Sequence, residues 1–270
     1  MNGATPPYDE ELNPVLEKAS REELSVLHDI LMGKLSETLS IEDAYKAHYP
    51  DHEKYPDLIA KEIRDFGGNS IANVFRGEGP PYREIVWDVA KAIKAPFRRE
   101  SPVEEIEASI LATILSKAFE RMSDDEKEVL LEQIGRPDRS AVAPGSVQVF
   151  LAIFKAGGFG SYRLMLIVVN AVVKGVIGRG LPLAANAALA RAMGVVTGPV
   201  GWAVTTMLTV IRIAGPSYKV TIPSVAYVAM LRKMQDTLHC GCGAVISIGF
   251  RFCPECGEEI RERSPQPLAG

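Results

Sequence analysis

Four cysteines near the C-terminus form the clearest chemical pattern in the chain. They are Cys240, Cys242, Cys253 and Cys256, and all lie in the segment HCGCGAVISIGFRFCPECGEEI at 239–260. Two close pairs of thiols separated by ten residues are typical of small structural zinc sites. The AVISIGFRF stretch between the pairs suits a hairpin too small to fold without an ion. We therefore predict a zinc ribbon with a closed, structural Zn²⁺ site.

One ligand of this site has an alternative. Cys240 and Cys242 are one residue closer together than the usual C-x₂-C pair, whereas His239 and Cys242 have the usual spacing. We favour four thiolates because that is the more common complete set. The imidazole of His239 in place of Cys240 is the alternative ligand, and free or redox-active cysteines are the alternative to a metal site.

The glycine-rich stretch FGGNSIANVFRGEG at 66–79 could bind an anion or a partner. Backbone N–H groups at a helix start and nearby guanidinium groups attract negative charge. The candidate contacts are Gly67, Gly68, Asn69, Arg76 and Arg83. The simpler interpretation is helix punctuation, in which Gly67 ends one helix and Asn69 caps the next. The stretch matches neither a Walker A loop nor a G-x-G-x-x-G motif.

No residue pattern in the chain indicates catalysis. The four histidines are His28, His48, His52 and His239. His48 and His52 have helical spacing, but Pro50 between them breaks the helix that would align them. Neither the G-x-S-x-G nor the H-E-x-x-H motif occurs. We expect a protein without enzymatic activity, and an unrecognised enzyme is the alternative.

The elements that carry these residues are predicted to be helices. Capping boxes begin at Ser20, Ser40, Ser101 and Ser123, each with an acidic residue three positions later. The pattern predicts helices near 8–18, 20–33, 40–48, 56–66, 69–76, 81–95, 102–121 and 123–134. The predicted fold is all-α, a multi-helix bundle with a Gly-rich apolar helical half, followed by the small C-terminal zinc ribbon.

The second half differs in composition from the first. Its apolar runs are interrupted by single basic and small residues, and TGPVG at 197–201 predicts a turn between helices near 184–196 and 200–213. Such a hairpin could be part of a soluble core or could insert into a membrane. Thr221 is the predicted N-cap of a last helix, with Pro223 in its first turn.

Charge divides the chain into three regions. Residues 1–138 carry 29 acidic and 17 basic side chains, residues 139–235 carry ten basic and no acidic ones, and residues 236–270 carry five acidic and three basic ones. We predict an acidic helical domain, a basic apolar helical region packed with it, and the zinc ribbon with a disordered Pro-rich end. The asymmetry indicates an anionic partner for the middle region: membrane lipid, nucleic acid or the acidic domain itself.

Two stretches resemble one bacterial family. IAKEIRDFGGNSIANVFRGEGPPYREIVWDVAKAI at 59–93 and the segment from GPVGWAV to VAMLRKM at 198–234 are similar to the YaaW family, which carries a ubiquinol–cytochrome c chaperone-like label. The resemblance covers roughly residues 14–235. It implies a largely helical protein with no established activity. The cysteine tail departs from the family pattern, which ends near the LRKM helix.

Together these features predict a non-catalytic helical interaction or chaperone-like protein with a zinc ribbon for docking. Its partner would be a protein or anionic inner-membrane lipid, and no small-molecule substrate is indicated. The acidic N-terminus lacks the pattern of a signal peptide, so we expect the chain in the cytoplasm, peripheral to or inserted in the inner membrane. The alternatives are a membrane-inserting or pore-forming effector and a nucleic-acid-binding protein. The basic residues are too sparse to favour nucleic-acid binding.

Overall fold

The structure is a computed structural model that describes most of the chain in several stretches. These are residues 8–32, 38–67, 79–133, 151–154, 158–179, 181, 217–240, 242, 245–247, 251–253 and 256–260. Within these stretches nearly every element is a helix, and the two short strands belong to the cysteine tail. The all-α prediction is confirmed. The hairpin predicted at 184–213 and the helix predicted at 69–76 lie outside the described residues.

The first region folds as a series of short amphipathic helices. They are α1 (Asn13–Glu17), α2 (Arg21–Met32), α3 (Thr38–Ile41), α4 (Asp43–His48), α5 (Pro56–Gly67), α6 (Tyr82–Ile93), α7 (Val103–Phe119) and α8 (Asp124–Gln133). A single 3-10 turn, His52–Lys54, separates α4 from α5. Pro50 ends α4 and keeps His48 and His52 off a common helix, as expected.

Two of the four predicted capping boxes form. The backbone N–H of Ser20 donates to the Glu23 carboxylate at 2.8 Å, and the N–H of Ser123 donates to the Glu126 carboxylate at 2.8 Å. The prediction at Ser101 is wrong because Pro102 is extended and takes the N-cap position of α7, which moves Ser101 outside the first turn. The prediction at Ser40 is wrong because Ser40 lies inside α3, while Glu42 is the N-cap of α4.

Two long helices from the second region are among the described residues and pack with the first region. They are α9 (Gly158–Ile177) and α10 (Tyr218–Gln235). Every residue of α10 from Val220 to Leu231 is buried, and the helix packs against α1, α2, α5, α6, α7 and α9. A helix that is covered on all sides needs few charges along its length, which explains the uncharged VTIPSVAYVAML sequence.

Pro223 is placed differently from the prediction. The helix α10 begins at Tyr218 after Ser217, so Pro223 lies inside it and Thr221 is not its N-cap. The hydroxyl of Thr221 donates instead to the Ser217 carbonyl oxygen at 3.2 Å. Proline removes one backbone hydrogen bond, and burial of the surrounding apolar residues offsets that cost.

Helix α9 is apolar enough to raise the question of a membrane. Residues Gly160–Ile177 are the one stretch among the described residues with the length and composition of a membrane span, and 61% of this stretch is buried within the protein. It packs on α2, α7 and α10 in the same hydrophobic core as the first region. In this position α9 serves as a core helix.

The cysteine tail folds as a small ribbon at the end of α10. Strand β1 (Thr237–His239) follows α10 almost directly and pairs antiparallel with β2 (Val245–Ser247), with Leu238 opposite Ile246. Strand β2 also packs against α9. The predicted hairpin within AVISIGFRF is wrong, because β2 pairs with β1 across the first cysteine pair and Phe252 bridges to Glu259 instead. The ribbon contacts the helical body in two places, through β1 on α10 and β2 on α9.

Candidate functional site

The ribbon brings all four cysteine sulfurs to one point. Cys240 Sγ and Cys256 Sγ are 3.5 Å apart, and Cys242 Sγ and Cys253 Sγ are 3.7 Å apart. The four sulfur atoms all lie within 4.8 Å of one another. The backbone N–H of Gly257 donates to the Cys253 carbonyl oxygen, and Gly257 has φ +76°, a conformation that glycine adopts without strain. The second cysteine pair is thus held in a tight turn.

The spacing of the sulfurs fits a tetrahedral metal ion. A Zn–S bond of about 2.3 Å requires sulfurs about 3.8 Å apart at the corners of a tetrahedron, close to the two shortest separations. Four cysteines that lie this close together could hold a metal ion. Cys240 is a full member of the set. His239 lies in β1 opposite Val245, so its role as an alternative ligand stays a prediction.

Protonation of the thiols also bears on metal binding. A backbone hydrogen bond with Cys242 favours the thiolate of Cys240, but desolvation and the sulfurs of Cys256, Cys242 and Cys253 outweigh it and raise the pKa of the Cys240 thiol. Four crowded sulfurs cannot all ionise without a compensating positive charge. A divalent cation would supply that charge and displace the protons.

The described residues of the ribbon form only a very small hydrophobic core. Within the part of the ribbon that the structure describes, Ile246 and Cys253 are buried, and Cys240 and Ile260 pack partly against them. This small cluster is separate from the core of the helical body. A unit with so little apolar burial needs a metal ion or a staple to fold.

A groove opens in the helical body where the ribbon begins. Its volume is about 810 Å³, and it lies between α7, α9 and α10. Apolar side chains from all three helices line it, including Leu111, Ala112, Met165 and Ala229. Asp236 and Thr237, which join α10 to β1, form part of its wall, so the groove and the ribbon share a boundary.

A buried charge network fixes the wall of this groove. Glu107 on α7 is 2% exposed, and its carboxylate accepts hydrogen bonds from Arg232 Nε at 2.9 Å and from the Tyr82 hydroxyl at 2.8 Å. Desolvation raises the pKa of the Glu107 carboxyl, and the Arg232 guanidinium opposes that rise. Arg232 also donates to the Glu11 carbonyl oxygen at 2.6 Å, which ties α10 to the start of the chain.

The rim of the groove is acidic on balance. Among the described residues that line it are five carboxylates, from Glu104, Glu105, Glu107, Glu120 and Asp236, and three cations, from Lys117, Arg232 and Lys233. Arg232 is committed to Glu107 and Glu104, and Lys117 Nζ donates to the Ile93 carbonyl oxygen at 2.5 Å. The remaining carboxylates give the opening a negative field.

The predicted anion contacts at 67–83 are only partly within the described residues. Gly68, Asn69 and Arg76 lie outside them. Gly67 ends α5, and a Cβ at this position would overlap the Ile85 side chain, so Gly67 allows α5 and α6 to approach closely. Arg83 pairs with Glu11 and donates to the Ser101 carbonyl oxygen at 2.9 Å. These two residues have structural roles, and an anion contact there stays a prediction.

The sequence analysis missed a cluster of aromatic rings around two histidines. The rings of His28 and His52 are 4.7 Å apart, and Tyr45, Tyr49 and Tyr55 surround them. His52 Nδ1 lies 2.7 Å from the Tyr55 hydroxyl oxygen, and His28 Nε2 lies 3.2 Å from the Tyr45 hydroxyl oxygen. The concentration of Tyr and His residues in 45–55 is a signal in the sequence for an aromatic cluster. That His28 joins it could not be predicted, because this depends on how α2 packs.

Basic residues of the middle region pair with acids of the first region. Arg179, just after α9, pairs with Asp29 on α2, and Arg232 pairs with Glu107 and Glu104 on α7. Part of the positive charge of the middle region is therefore neutralised within the chain. This agrees with the prediction that the acidic domain itself is the anionic partner. Lipid and nucleic acid as partners find no support in these contacts.

Comparison with known proteins identifies the family. The model of the ubiquinol-cytochrome C chaperone family matches residues 51–226, which is more than half of the chain. A UPF0174 protein of Helicobacter pylori strain J99 is 38% identical over 237 residues, covering 83% of this chain and 91% of the relative. A second UPF0174 protein of that strain is 37% identical, covering 74% of this chain and 98% of the relative.

The predicted YaaW resemblance is confirmed as well. The UPF0174 protein YaaW of Escherichia coli K12 is 31% identical over 206 residues, covering 74% of this chain and 82% of the relative. No solved structure matches the chain significantly. The family model and these relatives agree, and the chain belongs to the ubiquinol-cytochrome C chaperone family.

Proposed function

We propose that the protein is a non-catalytic, chaperone-like protein that binds an apolar segment of a client protein in the groove between α7, α9 and α10. The family description, ubiquinol-cytochrome C chaperone, supports a protein partner. The observation that carries the proposal is the groove itself, with its apolar lining and charged rim. We found no catalytic motif in the sequence that would favour an enzyme instead.

The shape and charge of the groove favour a basic amphipathic helix as the bound segment. A volume of about 810 Å³ accommodates several large side chains. Apolar residues spaced at i, i+3, i+4 and i+7 on a client helix would fill the groove, as in other helix-in-groove complexes. The excess of carboxylates around the opening would attract lysine or arginine on the flanks of that helix.

This proposal can be tested with two designed peptides. The first is a fluorescent Leu/Lys amphipathic peptide of about five helical turns, and the second has Glu in place of Lys. We expect the full chain to bind the basic peptide and not the acidic one, with an affinity that falls as salt is added. Equal binding of both peptides, or binding of neither, would contradict the proposal.

A substitution in the groove gives the decisive comparison. Ala108 is an exposed alanine on α7 that lines the groove. Ala108→Arg should obstruct the groove and repel a basic helix, weakening binding about tenfold or about 1.4 kcal/mol. Ala47→Arg is the matched control, because Ala47 is an exposed alanine on α4 and does not line the groove. It should leave the affinity unchanged.

We further propose that Cys240, Cys242, Cys253 and Cys256 bind one structural Zn²⁺ ion. The distances between the sulfurs support this assignment. The ion would stabilise the ribbon and supply no chemistry, because four protein ligands leave no open position. Metal analysis of the purified chain should give one zinc per chain, lost in Cys253→Ser. His239→Ala should retain the ion, and its loss there would favour the His239 alternative.

As a second proposal, we infer that the protein associates with a membrane. This inference rests on the apolar stretch Gly160–Ile177, most of which is covered by other helices. Co-flotation of the protein with vesicles containing anionic lipid, weakened by salt, would support it. Recovery of all protein in the unbound fraction with every lipid composition would rule against both peripheral and inserted forms. Release of dye from the vesicles would distinguish a pore-forming effector.

A further inference from the structure

The four-cysteine centre combines accessible thiols with a position at the end of the groove. Cys242 and Cys256 are exposed, Cys240 is half-buried and Cys253 is buried. Zinc-bound thiolates stay nucleophilic, and exposed thiolates react with small oxidants. A peroxide can therefore reach at least one sulfur of each close pair.

The sulfurs are already arranged as two pairs. Cys240 lies 3.5 Å from Cys256, and Cys242 lies 3.7 Å from Cys253. A disulfide requires sulfurs about 2.05 Å apart, so each pair needs an approach of less than about 2 Å. Both pairs join the first cysteine loop to the second, so no rearrangement of the strand pairing is required.

The ribbon that these cysteines hold is also part of the groove. Asp236 and Thr237 line the groove, and Thr237 is the first residue of β1. Strand β2 packs on α9, which supplies Tyr162 and Met165 to the opposite wall. In the described part of the ribbon the separate core holds two buried residues, one of which is the proposed ligand Cys253. Loss of the ion would therefore loosen the ribbon. The wall that Asp236 and Thr237 form at this end of the groove would loosen with it.

From these observations we propose that the four-cysteine centre is a peroxide-sensitive site whose oxidation expels the metal ion and opens the ribbon end of the groove. This inference rests on the proposed zinc site and goes beyond it by assigning a reaction and a structural consequence. The oxidant is a peroxide such as H₂O₂, which the surroundings of the protein must supply.

The reaction balances with two peroxides for each centre. A thiolate attacks the O–O bond of H₂O₂, which forms a sulfenic acid and releases hydroxide. The partner thiolate of the same pair then attacks the sulfenic sulfur, which forms the disulfide and releases a second hydroxide. Four thiolates and two peroxides, with four protons, thus give two disulfides and four waters. Disulfide sulfurs are neutral and poor ligands, so Zn²⁺ leaves.

The experiment uses the zinc-loaded full chain titrated with H₂O₂. Zinc release is followed with a chromogenic chelator, free thiols with a thiol reagent, and disulfides by peptide mass spectrometry. We expect one zinc released for two peroxides consumed, with bonds Cys240–Cys256 and Cys242–Cys253. Hydrogen exchange should become faster in 232–247 and in the facing part of α9, and should stay unchanged in α6. Dithiothreitol with added zinc should reverse every change.

Each contrary result has a distinct meaning. A purified chain that contains no zinc overturns the proposed metal site. Zinc that stays bound in excess peroxide, with free thiols unchanged, overturns the peroxide-sensitive site alone. Zinc release without faster exchange at the end of α10 overturns the link to the groove. Removal of zinc with a chelator under reducing conditions is the matched control for metal loss without oxidation, and it should reproduce the faster exchange without disulfides.

Discussion

At the scale of single residues, His28 and His52 form a buried pair that resists protonation. Desolvation lowers the pKa of His28, and desolvation together with the charge of a protonated His28 lowers the pKa of His52 to about 4. Charged groups near the pair include Asp29, Asp51 and Arg21, and Tyr45, Tyr49 and Tyr55 pack around it. Both imidazoles are therefore neutral at physiological pH.

This pair predicts a specific dependence of stability on pH. Between pH 6.5 and about 4 the unfolded chain binds a proton at His52 that the native protein does not bind, so the free energy of unfolding falls as pH decreases through this window. The expected loss is on the order of 3 kcal/mol. Urea unfolding at several pH values would measure it. His52→Gln should flatten the profile, whereas His48→Gln, at an exposed position, should not.

The buried Glu107–Arg232 pair predicts a second effect at this scale. Arg232→Met leaves the Glu107 carboxylate unpaired in a buried position, which should reduce the free energy of unfolding by about 3 kcal/mol. The loss should grow as pH rises, because the native protein must then hold a proton on Glu107 that the unfolded chain releases.

A second substitution separates charge from packing at this pair. Adding Glu107→Gln to Arg232→Met removes the unpaired charge and keeps an acceptor for the Tyr82 hydroxyl. Chemical denaturation of both variants should show recovery of most of the lost stability in the double variant, without the dependence on pH. If the single and double variants were equally stable, the unpaired charge of Glu107 would not be the cause of the instability of Arg232→Met.

At the scale of elements, two glycines set how closely α5 and its neighbours approach. A Cβ at Gly79 would overlap the backbone of Arg64 and Asp65, whereas a Cβ at Gly67 would overlap only the side chain of Ile85. Gly79 is also held by its N–H, which donates to the Asp65 carboxylate at 3.0 Å, and by its carbonyl, which accepts from Arg64.

The difference between these two glycines can be measured. Backbone cannot move aside as a side chain can, so Gly79→Ala should destabilise the protein by about 2–3 kcal/mol. Gly67→Ala should cost about 1 kcal/mol less, because Ile85 can adopt another rotamer. Thermal unfolding of the two variants in parallel would test the order, and a greater loss for Gly67→Ala would contradict it.

At the scale of the whole molecule, the helical body and the ribbon have separate cores joined at α10. The body has one continuous core with buried residues from every described helix except α4, whose Tyr45 packs against it, and the ribbon has its own small cluster. Metal removal should therefore act locally. Chelation should leave the far-ultraviolet circular dichroism of the helices nearly unchanged and shift the main thermal transition by less than about 2 °C.

Chelation would also reveal a helical body that depends on the ribbon for its stability. If the body depended on the ribbon, chelation would lower the main transition by more than about 5 °C and reduce the helical signal. Calorimetry of the zinc-loaded and chelated chains would distinguish the two outcomes. Restoration of the original curve by added zinc is the control for damage during chelation.

Local signals in the sequence were sufficient for the helical class, the cluster of four cysteines and the family. The capping boxes at Ser20 and Ser123, the hydrophobic periodicity and the cysteine spacing act between residues a few positions apart, so they predict structure without knowledge of the fold. The same reasoning failed at Pro223 and Ser101. Pro223 lies inside α10 because burial of the helix on all sides outweighs the hydrogen bond that proline removes. Ser101 does not cap α7 because the extended Pro102 takes the N-cap position.

The sequence by itself determined that the chain is helical and that four thiols near its end could share one ion. Only the tertiary structure decided that His28 meets His52, that Arg232 meets Glu107 across 125 positions, and that a groove ends where the ribbon starts. The physical reason is distance along the chain. Partners that are far apart in sequence meet only when apolar burial brings α7, α9 and α10 together, and no local pattern specifies which of many charges or rings will then face each other.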